Sequence, residues 1–129
     1  MAQKQYYMNL TDNELAAITK YAHAMANVDG KVENSELAYM ALEMARCGIK
    51  DPIPIFNLAN SMTSEKALSI IRELNPEGKK YASAYMGAMM AADGKIKDKE
   101  LALWKVFIQM CNLPSMSIIE ALDYVSTMK

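Results

Sequence analysis

The sequence predicts a single all-α domain, a compact bundle of about seven helices with an internal pseudo-twofold repeat. Eighteen alanines and twelve methionines stand against four valines, and unbranched side chains keep more of their rotamer freedom in a helix. Capping residues precede several stretches whose apolar positions recur at helical spacing. One helix–loop–helix pattern also occurs twice. Because 129 residues can bury a sufficient core without disulfides, residues 1–129 are expected to form one domain.

The first half of the chain is predicted to contain a helical hairpin. Thr11 and Glu14 have the spacing of a capping box, so a first helix should begin at about residue 12. That helix should stop near Asp29 and Gly30, since glycine readily adopts the left-handed conformation that ends many helices. Asn34 is the expected N-cap of a second helix, which should run to residues 47 and 48.

Five further helices are expected after residue 50. Two prolines restrict the first of them to one or two turns, because each proline removes an amide donor and constrains the residue before it. The starts of the others are set by caps at Thr63, Asn75, Asp98 and Ser117, the last in a box with Glu120. The expected ranges are residues 55–61, 65–74, 76–93, 99–111 and 118–127.

The two hairpins are related by one constant shift along the sequence, which aligns Tyr21 with Tyr85 and Cys47 with Cys111. This repeat alignment superimposes ten identical residues in the 27 positions from Tyr21 to Cys47, including the whole Asp-Gly-Lys loop. So many identities are far above chance for unrelated helices. They indicate a duplication with pseudo-twofold symmetry, whose halves span about 11–50 and 75–114.

The repeated segments AMANVDGKVENSELAYM and GAMMAADGKIKDKELAL resemble the two Asp-Gly loops of TerB-like (tellurite-resistance-associated) domains. The resemblance covers both hairpins, about half of the chain. It implies a helical bundle in which the two loops approach each other, in a non-catalytic sensor or scaffold of a stress-related or envelope-associated complex. The family's acidic positions correspond to Asp29, Glu36, Asp93 and Glu100.

Two interpretations of the duplicated loop remain open, and the first is purely structural. The glycines would be helix C-caps, the hydrophobic residues two positions later would enter the core, and the glutamates would favour the dipole of the next helix. The two aspartates would oppose the dipole of the preceding helix, so they need a local role such as an Asx-type bond to a loop amide. The residues concerned are Gly30 and Gly94, Val32 and Ile96, Glu36 and Glu100, and Asp29 and Asp93.

In the second interpretation the loops bind a divalent cation. Each loop follows the register of a calcium-binding EF-hand in part, but Met25 and Met89 occupy the first ligand position, so neither loop can surround a cation alone. Two facing loops could form one shared site, and all-oxygen ligation favours Ca²⁺, Mg²⁺ or Mn²⁺ over zinc. The candidate ligands are Asp29, Glu36, Asp93 and Glu100. A nearby lysine could instead replace the metal by ion pairing, and the candidates are Lys31, Lys95, Lys97 and Lys99.

Composition and charge argue against several classes of protein. Fourteen Lys and Arg against fifteen Asp and Glu give a net charge near zero, so nucleic acid is not an expected partner. The first ten residues lack an apolar signal segment, and the uncharged stretch 81–92 is too short to span a bilayer. Cys47 and Cys111 are expected as buried free thiols in a reducing cytosol. These features predict a cytoplasmic protein.

No catalytic signature is found, and the single histidine, His23, has Gly87 as its repeat counterpart, so it breaks the symmetry that a shared site would follow. A metal-dependent hydrolase would need a cleft beside the carboxylates. The alternative to a cation-binding module is a metal-independent protein-interaction or homo-oligomerisation domain. The methionines are expected in the core and Trp104 between the halves, whereas Tyr6 and Tyr7 could dock on the bundle or on another chain.

Overall fold

The computed structural model describes residues 8–127, which form seven α-helices. These are α1 (Asp12–Ala26), α2 (Asn34–Arg46), α3 (Ile53–Ser61), α4 (Ser64–Arg72), α5 (Pro76–Met90), α6 (Asp98–Met110) and α7 (Ile118–Thr127). The prediction of an all-α bundle of about seven helices is therefore confirmed. Tyr6 and Tyr7 lie outside the described residues.

The centre of the bundle consists of α1 and α5. Every residue of α5 from Tyr81 to Met90 is buried, and so are nine residues of α1. α1 packs against α3, α4, α5 and α6, while α5 packs against α1, α2, α6 and α7. A helix with little polar surface is stable only when neighbours cover all of its sides. The uncharged sequence of residues 81–90 thus explains the central position of α5.

The helix boundaries follow the repeat of the sequence. Under the repeat alignment, the first and last residues of α1 and α2 coincide with those of α5 and α6. The contacts between the halves are also equivalent: α1 of the first half contacts α6 of the second, and α5 of the second half contacts α2 of the first. The arrangement of the helices thus follows a pseudo-twofold relation between the two hairpins.

The repeat extends to a third helix in each half. α3 packs on α1 as α7 packs on α5. Each of these third helices buries two residues that lie four apart, Ile55 and Ala59 in α3 and Ala121 and Val125 in α7. Each half therefore contains three helices, and α4 connects the halves.

Helices α1 and α5 end earlier than expected. They stop at Ala26 and Met90, and the chain then tightens into turns in which the amides of residues 28, 30, 92 and 94 bond to the carbonyl three residues before them. Gly30 and Gly94 lie in the loops with φ of 89° and 77° and are not helix C-caps, so that prediction is wrong.

Helices α2 and α6 each begin one residue before the expected start. Their N-caps are Glu33 and Lys97, not Asn34 and Asp98 as predicted from side-chain type. The reason is visible in the first half, where the Glu36 carboxylate accepts the Glu33 amide at 2.9 Å and so caps the helix from inside. Helix α3 also starts two residues early, at Ile53, because the Asp51 carboxylate accepts the Ile53 amide at 3.0 Å.

The remaining predicted caps are confirmed. Thr11 and Glu14 form a reciprocal capping box, and so do Ser117 and Glu120. Thr63 and Asn75 cap α4 and α5 through side-chain oxygens that accept amides of the first turn. Helices α2 and α6 end in the same way. They are followed by Gly48 and Asn112, whose φ values are positive, 94° and 56°. The next amide then donates to the carbonyl five residues before it at 2.9 Å in each case.

Most predictions about the core are confirmed, with two corrections. The expected core methionines are fully buried, and Cys47 and Cys111 are buried free thiols. Trp104 is buried within the second half, where its indole N–H donates to the Ser83 carbonyl at 3.1 Å, and not between the halves. Ile96 was expected in the core but is 43% exposed, whereas its counterpart Val32 packs against the core. Among the helices of residues 8–127, none has the length and apolar character that a membrane crossing requires.

Candidate cation site

The two Asp-Gly loops have the same local geometry. The Asp29 carboxylate accepts the Lys31 amide at 3.4 Å, and the Asp93 carboxylate accepts the Lys95 amide at 3.0 Å. These are the Asx-type bonds predicted for residues that would otherwise oppose a helix dipole. The glycine that follows each aspartate has a positive φ, which turns the chain toward the next helix.

Glu36 and Glu100 lie in the first turns of α2 and α6, at equivalent positions of the repeat. Both side chains are fully buried. One oxygen of Glu36 accepts the Glu33 amide, but Glu36 Oε2 and both carboxyl oxygens of Glu100 have no hydrogen-bond donor among the described residues. Buried carboxyl oxygens without donors are rare in folded proteins because they have lost their hydration. These three atoms mark the glutamate pair as the candidate site.

The two carboxyl groups interact with each other. Burial raises the pKa of Glu100 to about 8, and the charge of the nearby Glu36 carboxyl acts in the same direction. Two ionised carboxylates repel in a buried site, so Glu100 retains its proton to a higher pH than an exposed glutamate does. The negative charge of the pair can thus be reduced either by a proton or by a bound cation.

The positive charge of Lys97 acts on this pair, where it opposes the rise in the pKa of Glu100. Its ammonium lies 3.3 Å from Asp29 Oδ2 in the opposite loop. The hydrogen bond from Lys97 lowers the pKa of Asp29. In turn, this hydrogen bond raises the pKa of Lys97, and the negative charges of Glu100 and Glu36 add smaller contributions in the same direction. The prediction that a lysine pairs with a loop carboxylate is thus confirmed at Lys97.

The four predicted ligands do not converge. The structure brings Glu36 and Glu100 together, leaves Asp93 near enough to Glu100 to contribute to its raised pKa, and pairs Asp29 with Lys97. Within residues 8–127, no three His, Cys, Asp or Glu side chains are grouped so that they could hold a metal ion together. The arrangement offers two buried carboxylates as the anchor of a site and two aspartates at its edge.

The charge at the position of Lys97 reverses in the other half, which sequence analysis missed. The counterpart of Lys97 under the repeat alignment is Glu33. The position equivalent to the Lys97–Asp29 ion pair is therefore occupied by two acidic residues, Glu33 and Asp93. The signal was present in the aligned repeats, as an exchange of charge between otherwise similar loops.

A second buried polar cluster was also missed. Glu43 is fully buried in α2, accepts the hydroxyl of Tyr81 at 2.7 Å and pairs with Arg46 at 3.2 Å. Arg46 also donates to the Val125 carbonyl in α7 at 3.2 Å. The signal for this cluster was a glutamate between Met40 and Met44 on the apolar face of α2. Because its carboxylate has partners, this cluster connects helices and does not need a ligand.

Comparison with known proteins assigns the chain to a family. A crystal structure of a protein of unknown function from Porphyromonas gingivalis matches it with a TM-score of 0.84 and 34% sequence identity, over 98% of each chain. The chain belongs to the same family as that protein. No family model and no curated protein matches the chain. The relationship establishes the bundle as the fold of a family.

Proposed function

We propose that this chain is a non-catalytic helical module that binds one divalent cation between its two halves, at Glu36 and Glu100. The observation that carries the proposal is the set of three buried carboxyl oxygens that have no donor among residues 8–127. A cation would supply the positive charge that these atoms lack.

The donor set fits a hard cation. Carboxylate oxygens are preferred ligands of Mg²⁺, Mn²⁺ and Ca²⁺, so an ion held by the two glutamates would take further oxygen ligands from the neighbouring aspartates. Glu36 and Glu100 would anchor the ion. Asp93 lies near enough to Glu100 to contribute to its raised pKa, so it could also reach the ion. Asp29 would become a ligand only by leaving its ion pair with Lys97.

The position of the pair suggests how occupancy could be sensed. Glu36 belongs to α2 and Glu100 to α6, so a shared ion would join the first turns of two helices from different halves. The affinity of the ion for the native state adds to the free energy of unfolding. The further role as a sensor or scaffold in a stress-related complex rests on the resemblance of the Asp-Gly loops to TerB-like domains.

The test is a thermal and calorimetric titration of the 129-residue chain. After treatment with a chelator, the melting temperature is measured with Mg²⁺, Mn²⁺ and Ca²⁺ at millimolar concentration, and binding is measured by isothermal titration calorimetry. We expect a saturable, cation-specific rise in the melting temperature, and its loss in a Glu36→Gln, Glu100→Gln double variant.

The matched control is a Glu14→Gln, Glu120→Gln double variant. Both of these glutamates also lie in first-turn capping boxes, but neither is fully buried, and they are remote from the candidate site in the chain. This control should retain the full cation response. If none of the three ions raises the melting temperature of the native chain, or if both double variants respond equally, the proposed site is wrong.

An exposed apolar surface favours a second candidate, a protein-interaction or self-association domain. A groove of about 610 Å³ lies between α6 and α7 and is lined mainly by apolar side chains, including Trp104, Ile108 and Met116. At its edge Ile119 is 73% exposed. Sedimentation analysis of the native chain and of Ile119→Lys tests this candidate, because self-association through the groove would be lost in the variant.

A further inference from the structure

A groove between α1, α3 and α6 brings aromatic, basic and polar side chains together. It has a volume of about 600 Å³, within the range of small-molecule sites. Its lining includes both phenylalanines of the chain, Phe56 and Phe107, and its single histidine, His23. Lys20 and Tyr21 complete the inner wall. Aromatic and polar groups thus converge in one concave surface.

The equivalent place in the other half is closed. Phe107 and Met110 of the groove correspond to Glu43 and Arg46 under the repeat alignment. There, Arg46 reaches from α2 to the Val125 carbonyl of α7 at 3.2 Å while its guanidinium pairs with Glu43. The shorter, uncharged Met110 forms no such bridge from α6 to α3, and the space remains open.

A second difference between the halves lies at His23, whose counterpart is Gly87. A Cβ atom at Gly87 would lie 2.7 Å from the Trp104 ring and 2.8 Å from the Ala121 side chain, so α7 closes on α5 without room for any side chain. In the first half an imidazole occupies this position and lines the groove. The opening is therefore a departure from the symmetry of the fold, at several positions together.

The lining determines the chemistry of a ligand. None of the described residues that line the groove is Asp or Glu. The Lys20 ammonium donates to the Ala59 carbonyl at 3.2 Å, and two of its three N–H groups remain for a further acceptor. The Tyr21 and Phe107 rings lie 4.6 Å apart, and they form with Phe56 an aromatic wall. A positive donor beside aromatic rings is complementary to an anion that carries a planar ring.

We propose that this groove is a binding site for a small aromatic carboxylate, with the ring against Phe56 and Phe107 and the carboxylate on Lys20. The site is separate from Glu36 and Glu100, and the proposal does not depend on a bound cation. A small ligand of this kind is expected to bind with a dissociation constant on the order of 1 mM or tighter.

The test is an amide chemical-shift titration of the whole chain with three probes. 4-Hydroxybenzoate carries both the ring and the charge, 4-hydroxybenzamide keeps the ring without the charge, and cyclohexanecarboxylate keeps the charge without the aromatic ring. We expect saturable shifts with 4-hydroxybenzoate at amides of residues 19–27, 56–64 and 107–110, and affinities about tenfold lower for the other two probes. No saturable shift, or equal affinity for all three probes, would overturn the proposal.

Variants of two groove residues complete the test. Met110→Trp fills the groove with a larger side chain and adds no charge, so it should abolish binding of 4-hydroxybenzoate. Val106→Trp places the same side chain one turn earlier on α6, at a position that is 47% exposed and outside the groove, and should bind as the native chain does. Lys20→Met should lower the affinity for 4-hydroxybenzoate to that of the benzamide. Unchanged binding in a folded Met110→Trp or in a folded Lys20→Met would contradict the site.

Discussion

Glu36 and Glu100 belong to different halves of the sequence, yet their fully buried carboxyl groups interact with each other between the two halves of the bundle. Each belongs to the first turn of a helix, where a carboxylate is favoured by the helix dipole. Their mutual approach works against that advantage, because two ionised carboxylates repel in a site from which water is excluded. We therefore expect this pair to make the stability of the protein depend on pH.

Stability should fall as the pH rises across the titration of Glu100. The folded state raises the pKa of this group from 4.5 to about 8, so between these values the native state holds a proton that the unfolded chain has released. The free energy of unfolding should therefore fall with rising pH through this window, by roughly 1.4 kcal/mol per pH unit for one proton. Denaturant unfolding in chelator from about pH 5 to about pH 8.5 measures the slope.

Two variants identify the source of this pH dependence. Glu100→Gln should remove most of the slope, since the amide cannot ionise. Glu120→Gln is the matched control, because Glu120 is an exposed capping-box residue whose pKa is lowered by its bonds to Ser117 and whose titration lies below the window. A slope that persists unchanged in Glu100→Gln would show that another group is responsible.

Lys97 should compete with any cation that binds at the glutamate pair. Replacement by Met removes the ammonium from Asp29 and from the two buried carboxylates that act on it. In chelator, Lys97→Met should melt at a lower temperature than the native chain, while its affinity for the cation should rise about tenfold. Lys99→Met, an exposed change two residues further along α6, should alter neither quantity. Equal calorimetric affinities of the two variants would exclude the competition.

Gly87→Ala should destabilise the second half of the bundle. The new methyl group would lie 2.7 Å from the buried Trp104 ring, which is also held by its bond to the Ser83 carbonyl. Overpacking of this kind costs about 1–3 kcal/mol. Gly78→Ala in the same helix approaches Leu74 at 3.2 Å, where only small adjustments are needed, and should cost much less. Urea unfolding of both variants tests the difference, and equal effects would contradict it.

Arg46→Met should expose the dependence of α7 on the buried Glu43 cluster. The change removes the partner of a buried carboxylate and the donor to the Val125 carbonyl, and we expect a loss of about 2 kcal/mol, less than for a fully buried pair because the Arg46 side chain is 35% exposed. Lys105→Met on α6 removes an exposed charge and serves as the control. Faster hydrogen exchange confined to α7 would confirm the connection, and unchanged exchange would contradict it.

Local rules of sequence explain most of the fold. The capping residues Thr11, Thr63, Asn75 and Ser117 were identified because a side-chain oxygen next to free helix amides is a purely local interaction. The repeat was visible for the same reason, since identical residues recur at one spacing. The third helix of each half was missed as part of the repeat, because Ile55 and Ala59 share no identity with Ala121 and Val125.

Long-range electrostatics explain what sequence analysis did not resolve at the candidate site. Glu36 and Glu100 were predicted together from the symmetry of the repeat. The residues next to them in the sequence do not indicate that both are fully buried, or that Asp29 forms an ion pair with Lys97. The choice between a lysine and a metal as the partner of a carboxylate depends on distances between the halves. The same holds for Glu43, whose burial depends on Tyr81 in another helix.

The pairing of Lys97 with Asp29 has a consequence for how such a fold can evolve. A homodimer of three-helix subunits would place the same side chain at both twofold-related positions, so a lysine that balances the charge on one side would appear on the other side too. Once the two subunits are joined in one chain, each copy can change independently. Lysine at position 97 and glutamate at position 33 are a pair of residues that two identical subunits cannot combine at equivalent positions. Fusion thus permits the distribution of charge to differ between two halves whose backbones are alike.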